Sequence, residues 1–125
     1  MKQFNEYVAV DNLHINGELT QGENIADLGG AVMGFEAFKK TKQYKNNESI
    51  GGFSPSQRYF LGFAQGWMQN IRPEAIANQV KSNEHSPAKW RVLGPLSNIP
   101  EFYSAFGVKV GDKMWRPENQ RVKIW

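Results

Sequence analysis

Apolar residues recur at helical spacing through the first half of the chain. Between residues 21 and 45 they fall three and four positions apart, at Ile25, Leu28, Val32, Phe35 and Phe38. This period is typical of an amphipathic α-helix. The same segment contains Gly29, Gly30 and Gly34. Because a glycine costs about 0.5–1 kcal/mol in a helix interior, we expect another backbone to pack closely against them.

Local start signals predict three further helices. Ser54-Pro55-Ser56-Gln57 combines a cap, a proline at the first helical position and a glutamine that closes a capping box. The apolar stripe of this helix is Phe60, Phe63, Ala64 and Trp67. Pro73 begins a short helix to about Val80, and Pro100 begins a last helix that ends near Gly107.

The remaining segments lack helical periodicity. Residues 1–19 are mixed in character and predicted to be irregular, and residues 46–52 are predicted to form a loop. Residues 90–93 are expected to be extended. The pattern therefore predicts a mainly α chain.

Composition indicates one globular unit with an aromatic core. The chain has 125 residues, 40% of them apolar and 22% charged, which is one domain or less. The net charge is only +3, and the densest basic cluster lies near a predicted helix end, where cations are favourable without a partner. We therefore expect no nucleic-acid partner. The sequence has no cysteine and no apolar run long enough for a membrane span, so neither a disulfide nor a membrane partner is expected in this part.

Two acidic residues at the start of the first long helix carry the candidate chemistry. Glu23 and Asp27 are four positions apart and project from the same helical face. One carboxylate can then bind a metal ion while the other orients a neighbouring ligand. The alternative is structural: Thr20 and Glu23 fit a capping box, and Asp27 is then an acid favoured by the helix dipole.

Nothing else in the sequence completes a metal site by spacing. His14 and His85 are the only histidines and are far apart, whereas a catalytic zinc needs about three protein ligands and a water. By position alone, His85 is a hydrogen-bonded structural residue. By its position alone, Arg91 is interpreted as a surface arginine whose aliphatic stem packs on Trp90. Periodicity makes Trp67 a core residue.

Five motifs together resemble the neprilysin family of zinc metallopeptidases. They are GENIADLGG at 22–30, FAQGW at 63–67, RPE at 72–74, HSPAKWR at 85–91 and RVKIW at 121–125, and they follow the order of that family. The resemblance implies a mainly α fold, the C-terminal helical portion of a thermolysin-like (zincin) catalytic domain over residues 1–125. The HExxH helix of the family, with its two zinc-binding histidines and its general base, has no counterpart in this sequence.

The resemblance also implies roles for single residues. Glu23 corresponds to the third zinc ligand, and Asp27 to a residue that hydrogen-bonds a zinc-binding histidine and holds Arg91. His85 corresponds to the donor that stabilises the oxyanion of the tetrahedral intermediate. Arg91 corresponds to a clamp that binds a substrate backbone carbonyl.

Three more positions match or depart from the family pattern. Gly66 and Trp67 correspond to residues that line a hydrophobic pocket beside the zinc. Asn83 stands where the family usually has an acidic residue two positions before the histidine. Trp125 matches the end of the family's sequences, which implies that only N-terminal sequence is missing.

The predicted function is that of a part of a zinc metalloendopeptidase, which hydrolyses oligopeptides with a zinc-activated water. The isolated chain is expected to be inactive and to hold no zinc by itself. Expected partners are peptide substrates and the missing N-terminal part, with self-association through an exposed apolar face. We expect the whole protein to work in the periplasm or outside a bacterial cell. The alternative is a non-catalytic helical binding module, in which Glu23 is a cap and His85 is structural.

Overall fold

Seven α-helices dominate the computed structural model, which describes residues 1–124. They are α1 Lys2–Asn5, α2 Gln21–Lys39, α3 Lys42–Lys45, α4 Pro55–Gln65, α5 Pro73–Ser82, α6 Ala88–Leu96 and α7 Pro100–Phe106. A 3₁₀ turn at Glu118–Gln120 precedes the tail. The predicted mainly α class is confirmed. Trp125, predicted to close the natural chain, lies outside the described residues.

The N-terminal segment is more ordered than the sequence predicted. After α1, strands β1 Val8–Val10 and β2 Leu13–His14 pair antiparallel as a small hairpin. Asp11 turns the chain with a φ of 48°. An aspartate tolerates this left-handed conformation better than most residues. The strands are too short to give a clear alternating pattern, which explains why the segment was predicted to be irregular.

The long helix α2 buries most of the predicted stripe. Leu28 and Phe35 are buried, and Val32 and Phe38 are partly buried against the core, whereas Ile25 is 43% exposed. The prediction is therefore wrong only for Ile25.

Helix α2 also ends at Lys39 rather than near residue 45. The Thr41 hydroxyl donates to the Phe38 carbonyl at 2.7 Å and accepts from the Tyr44 amide at 3.2 Å. This hydroxyl competes with the helical hydrogen-bond pattern and caps α3 instead.

A tyrosine, not another backbone, packs on Gly34 of α2. A Cβ at Gly34 would lie 2.5 Å from the Tyr59 hydroxyl, which donates to the Ala31 carbonyl at 2.8 Å. A Cβ at Gly30 would meet nothing within 4 Å. The expectation of close backbone packing is therefore wrong at Gly30 and Gly34.

Helix starts that are encoded locally are confirmed. Ser54 and Gln57 form the predicted capping box of α4, with Pro55 at the first helical position. Pro73 and Pro100 begin α5 and α7.

Helix α6 corrects the prediction that residues 90–93 are extended. It begins after Pro87 and includes Pro95 in its last turn. Its packing favours the helix over local propensity: α6 lies against α2, and the Phe4 ring sits so close to Gly94 that a Cβ there would clash.

The core lies between α2, α4, α6 and α7. Its buried hydrophobic members are Leu28, Ala31, Phe35, Phe60, Leu96, Ile99, Phe102 and Tyr103. Trp67 is only partly buried and lies outside this core, contrary to the periodicity. No helix of the described residues has the length and apolarity that a bilayer crossing requires.

Candidate active site

Four predicted site residues from three segments come together at one end of α2. Glu23 and Asp27 lie in the first two turns of α2, His85 in the loop between α5 and α6, and Arg91 in the first turn of α6. Side-chain contacts join all four. We call these residues the candidate site.

Arg91 and Asp27 form the strongest interaction of the candidate site. Arg91 Nε donates to Asp27 Oδ2 at 2.7 Å, and Arg91 Nη2 donates to Asp27 Oδ1 at 2.6 Å. The Arg91 side chain is 14% exposed and that of Asp27 is 9% exposed. The hydrogen bonds to Asp27 raise the pKa of the Arg91 guanidinium above its ordinary value. A bidentate pair of this kind fixes the plane of the guanidinium.

An aromatic ring supports the same guanidinium from below. The Arg91 guanidinium carbon lies 4.1 Å from the centroid of the Trp67 ring, a cation–π contact. Trp90, the alternative partner of Arg91, stacks instead on Tyr7 with ring centroids 4.1 Å apart. The interpretation of Arg91 as a surface residue packed on Trp90 is therefore wrong.

Glu23 interacts with both His85 and Arg91. Its Oε2 lies 3.0 Å from His85 Nε2 and 3.5 Å from Arg91 Nη2, and its side chain is 36% exposed. The predicted capping box with Thr20 does not form. The Thr20 hydroxyl donates to the Asn16 carbonyl at 2.9 Å and gives no side-chain cap to α2. Glu23 is thus free of the capping role that was its structural alternative.

Asn83 holds the other side of the His85 ring. The Asn83 amide oxygen lies 3.0 Å from His85 Nδ1 and accepts from the His85 backbone N–H at 2.8 Å. Glu84 Oε1 is farther from Nδ1, at 3.9 Å. The departure from the family pattern at position 83 therefore replaces a carboxylate with an amide that still accepts a hydrogen bond. Between Asn83 and Glu23 the ring is fixed at both nitrogens.

The two remaining predicted positions lie at the end of α4. Gly66 caps this helix and is exposed, and Trp67 follows it beneath Arg91. The glycine places no side chain beside the tryptophan.

The described residues do not form a whole metal site by themselves. Within residues 1–124, no group of three or more histidine, cysteine, aspartate or glutamate side chains is arranged to hold a metal ion. His14 lies apart in β2, with Nδ1 2.9 Å from the Asn5 carbonyl oxygen. Glu23 has the right chemistry for one ligand, since its carboxylate is partly exposed and its described partners use only Oε2.

Sequence reasoning missed the polar residues directly behind the candidate site. Ser86 Oγ donates to Asn24 Oδ1 at 2.8 Å, and both side chains are buried. For Asn24 the sequence does contain a signal, its helical spacing. It lies four positions before Leu28, seven before Ala31 and eleven before Phe35, and so shares their buried face of α2. A polar residue in an apolar stripe indicates a buried hydrogen bond.

Known structures share the fold of the chain. The zinc metalloprotease Zmp1 of Mycobacterium tuberculosis in its open state matches 99% of this chain with 32% identity and a TM-score of 0.83. Its structure in complex with an inhibitor matches with a TM-score of 0.84. In both cases the match covers 20% of that protein's chain. The predicted fold class, a helical portion of a thermolysin-like zincin, is confirmed.

Sequence relatives agree with the structural likeness. An endothelin-converting enzyme homolog of Locusta migratoria is 44% identical over 98% of this chain, and neprilysin of Mus musculus is 36% identical over 90%. The chain spans only 17% and 15% of the lengths of these relatives. The sequence model of peptidase family M13 matches residues 1–122 of this chain. The chain therefore belongs to peptidase family M13.

Proposed function

We propose that this chain is the C-terminal part of a zinc metalloendopeptidase that hydrolyses oligopeptides. One observation carries the proposal: Glu23, Asp27, His85 and Arg91 meet in one cluster although up to 68 positions separate them in the sequence. The names of the relatives, an endothelin-converting enzyme homolog and neprilysin, and of the structural neighbour, a zinc metalloprotease, support the same reaction class.

Glu23 is the residue that would hold zinc in this chain. The other protein ligands then come from a segment that precedes the chain in the longer protein, since about three are needed. A zinc ion bound in such a site lowers the pKa of its water and so supplies a nucleophile at neutral pH. His85 contacts Glu23 and therefore lies beside the place where the reacting carbonyl would be held.

Arg91 is suited to bind the backbone of the substrate. Asp27 engages its Nε and Nη2, and within residues 1–124 no acceptor is hydrogen-bonded to Nη1. Nη1 is then available to donate to a peptide carbonyl beyond the scissile bond. Because Asp27 and Trp67 already fix the guanidinium, little conformational entropy is lost when substrate binds.

His85 is suited to donate to developing negative charge. Its side chain is partly exposed, with Nε2 beside the Glu23 carboxylate, and Asn83 holds the ring through Nδ1. A donor aimed at the oxyanion lowers the barrier by about 3–4 kcal/mol. We assign Trp67, next to the side-chain-free Gly66, to one wall of the substrate pocket of the longer protein.

Peptides and the remainder of the longer polypeptide are the proposed partners. We place the whole protein outside the cytoplasm, in keeping with a mouse relative that is named membrane metallo-endopeptidase-like 1. The competing proposal of a non-catalytic helical module depended on Glu23 as a cap, and Thr20 does not form that cap.

The longer reading frame provides the test. We expect it to encode an HExxH helix upstream and its product to hold one zinc ion and cleave fluorogenic peptides. Glu23→Gln should lose both zinc and activity. His85→Gln should keep zinc and lower kcat by about 10²–10³-fold.

Glu36→Gln is the matched control, because Glu36 lies on the same helix and pairs only with Lys39 among the described residues. It should leave zinc and activity unchanged. A reading frame without HExxH, or full zinc occupancy after Glu23→Gln, would overturn the proposed function.

A further inference from the structure

A network of buried polar side chains lies next to the candidate site. Ser86 Oγ donates to Asn24 Oδ1 at 2.8 Å, and Asn24 Nδ2 donates to Thr20 Oγ1 at 2.9 Å. The Thr20 hydroxyl donates in turn to the Asn16 carbonyl at 2.9 Å. Ser86, Asn24 and Thr20 are only 1%, 7% and 3% exposed. A satisfied network that is shielded from water holds its members rigidly.

Two members of this network are direct sequence neighbours of candidate-site residues. Asn24 directly follows Glu23 in α2, and Ser86 directly follows His85 in the loop before α6. The Ser86–Asn24 hydrogen bond therefore fastens the segment that carries His85 to the helix that carries Glu23.

The loop has few other attachments near His85. Residues 81–84 are exposed, and Ser86 and Pro87 are the first buried residues after α5. Gln79 on α5 adds one hydrogen bond, from Nε2 to the His85 carbonyl at 3.1 Å. Apart from the Ser86 anchor, the described hydrogen bonds of the His85 backbone to other elements reach α5 but not α2.

The contact between Glu23 and His85 cannot hold this geometry by itself. The two side chains are 36% and 39% exposed, and solvent screens interactions of such partly exposed groups. The buried Ser86–Asn24 bond is not screened in this way. The buried hydrogen bond therefore constrains the position of His85 relative to Glu23 more strongly than their exposed contact does.

We propose that Asn24 and Ser86 are positioning residues of the candidate site. They act through their neighbours, since their hydrogen bond fixes the His85 ring relative to the Glu23 carboxylate. The catalytic consequence rests on the proposed function, whereas the placement of His85 does not depend on it.

The placement is tested first by NMR of histidine ring signals in the 125-residue chain. The chain has two histidines, so His14 serves as an internal reference. In Ser86→Ala and in Asn24→Ala we expect the His85 signals to shift and broaden while those of His14 stay unchanged. Ser97→Ala is the matched control, because Ser97 is also buried but its hydroxyl donates to the Leu93 carbonyl and has no described hydrogen bond to α2 or to the loop that carries His85. It should leave both histidines unchanged.

The catalytic consequence is tested in the longer protein with a peptide substrate. Ser86→Ala and Asn24→Ala should each lower kcat roughly ten- to a hundredfold, with little change in KM, because misplacement of a catalytic group by about 1 Å costs that much. The double variant should fall no further than either single variant, since both remove the same hydrogen bond. Ser97→Ala should change neither constant.

Each outcome decides one part of the proposal. Unchanged His85 signals in a folded Ser86→Ala or Asn24→Ala chain would overturn it. A lower melting temperature with unchanged kcat would reduce the pair to a purely structural role, and additive losses in the double variant would show that the two residues act separately. If the unaltered longer protein cleaves no peptide, the proposed function fails, while the NMR comparison still decides the placement of His85.

Discussion

Arg91 is held by a hydrogen-bonded ion pair and by a cation–π contact, and the two restrict different movements of its guanidinium. The bidentate bond to Asp27 sets the plane of the guanidinium, and the Trp67 ring limits its movement on one face. Glu23 adds a longer and more exposed contact at 3.5 Å. Rigidity at this residue therefore depends chiefly on Asp27.

The first prediction is that Asp27→Asn destabilises the chain by about 1–3 kcal/mol, because it removes the charge partner of a largely buried guanidinium. Because Glu23 remains near Arg91, we expect the loss of unfolding free energy to lie toward the lower end of this range. Urea unfolding followed by circular dichroism measures the change. Glu36→Gln is the control, since it breaks an exposed pair with Lys39 and should cost less than about 1 kcal/mol. Equal losses in the two variants would contradict the prediction.

Spacing alone predicted only the local half of the site. Glu23 and Asp27 share a helical face by their separation of four residues, but their contacts with His85 and Arg91 span 62 to 68 positions. No pattern within one segment encodes such contacts, so the grouping came from the motif resemblance. The Thr20 capping box does not form because Thr20 has φ −93° and ψ 3°, outside the extended conformation typical of a cap residue, and its hydroxyl oxygen accepts from Asn24 Nδ2 instead.

At the scale of elements, α2 contributes Glu23 and Asp27 to the candidate site and has one buried and one exposed face. One face packs on α6 and the core, and the other exposes Gly22, Ile25, Ala26, Gly30 and Met33. Apolar and small residues on both faces obscure the amphipathic pattern, which explains why the sequence assigned Ile25 to the buried side. Helix α6 was missed for a related reason, because its tertiary packing overrides the local signals of Val92 and Pro95.

Two glycines four residues apart on α2 should respond in opposite ways to alanine. Gly34→Ala brings a Cβ within 2.5 Å of the Tyr59 hydroxyl and should destabilise the chain by about 1–3 kcal/mol through overpacking. Gly30→Ala meets nothing within 4 Å and should stabilise it by about 0.5–1 kcal/mol through helix propensity. Thermal unfolding of both variants measures the difference. A stabilising effect at position 34 would show that Tyr59 does not pack as described.

At the scale of the whole molecule, the exposed face of α2 is the surface where further protein should pack. We predict that the chain self-associates reversibly through this face, because exposed apolar residues there would be removed from water. Sedimentation velocity over a range of concentrations should show larger species, and Met33→Lys should weaken them. Met68→Lys is the control, since Met68 is more exposed but lies outside α2. A chain that stays monomeric at all concentrations would contradict this prediction.

Zinc binding by the isolated chain gives the sharpest test of whether the site is partial. Glu23 Oε2 lies 3.0 Å from His85 Nε2, so the two residues could supply at most two metal ligands. Each is already engaged, Glu23 with Arg91 and His85 with Asn83. Because a zinc site needs about three protein ligands, we predict that the chain binds zinc no tighter than about millimolar. Isothermal titration calorimetry should detect no stoichiometric site, and Glu23→Gln should leave the titration unchanged. A submicromolar site with one zinc per chain, lost in Glu23→Gln, would mean that these residues complete a metal centre without any further segment.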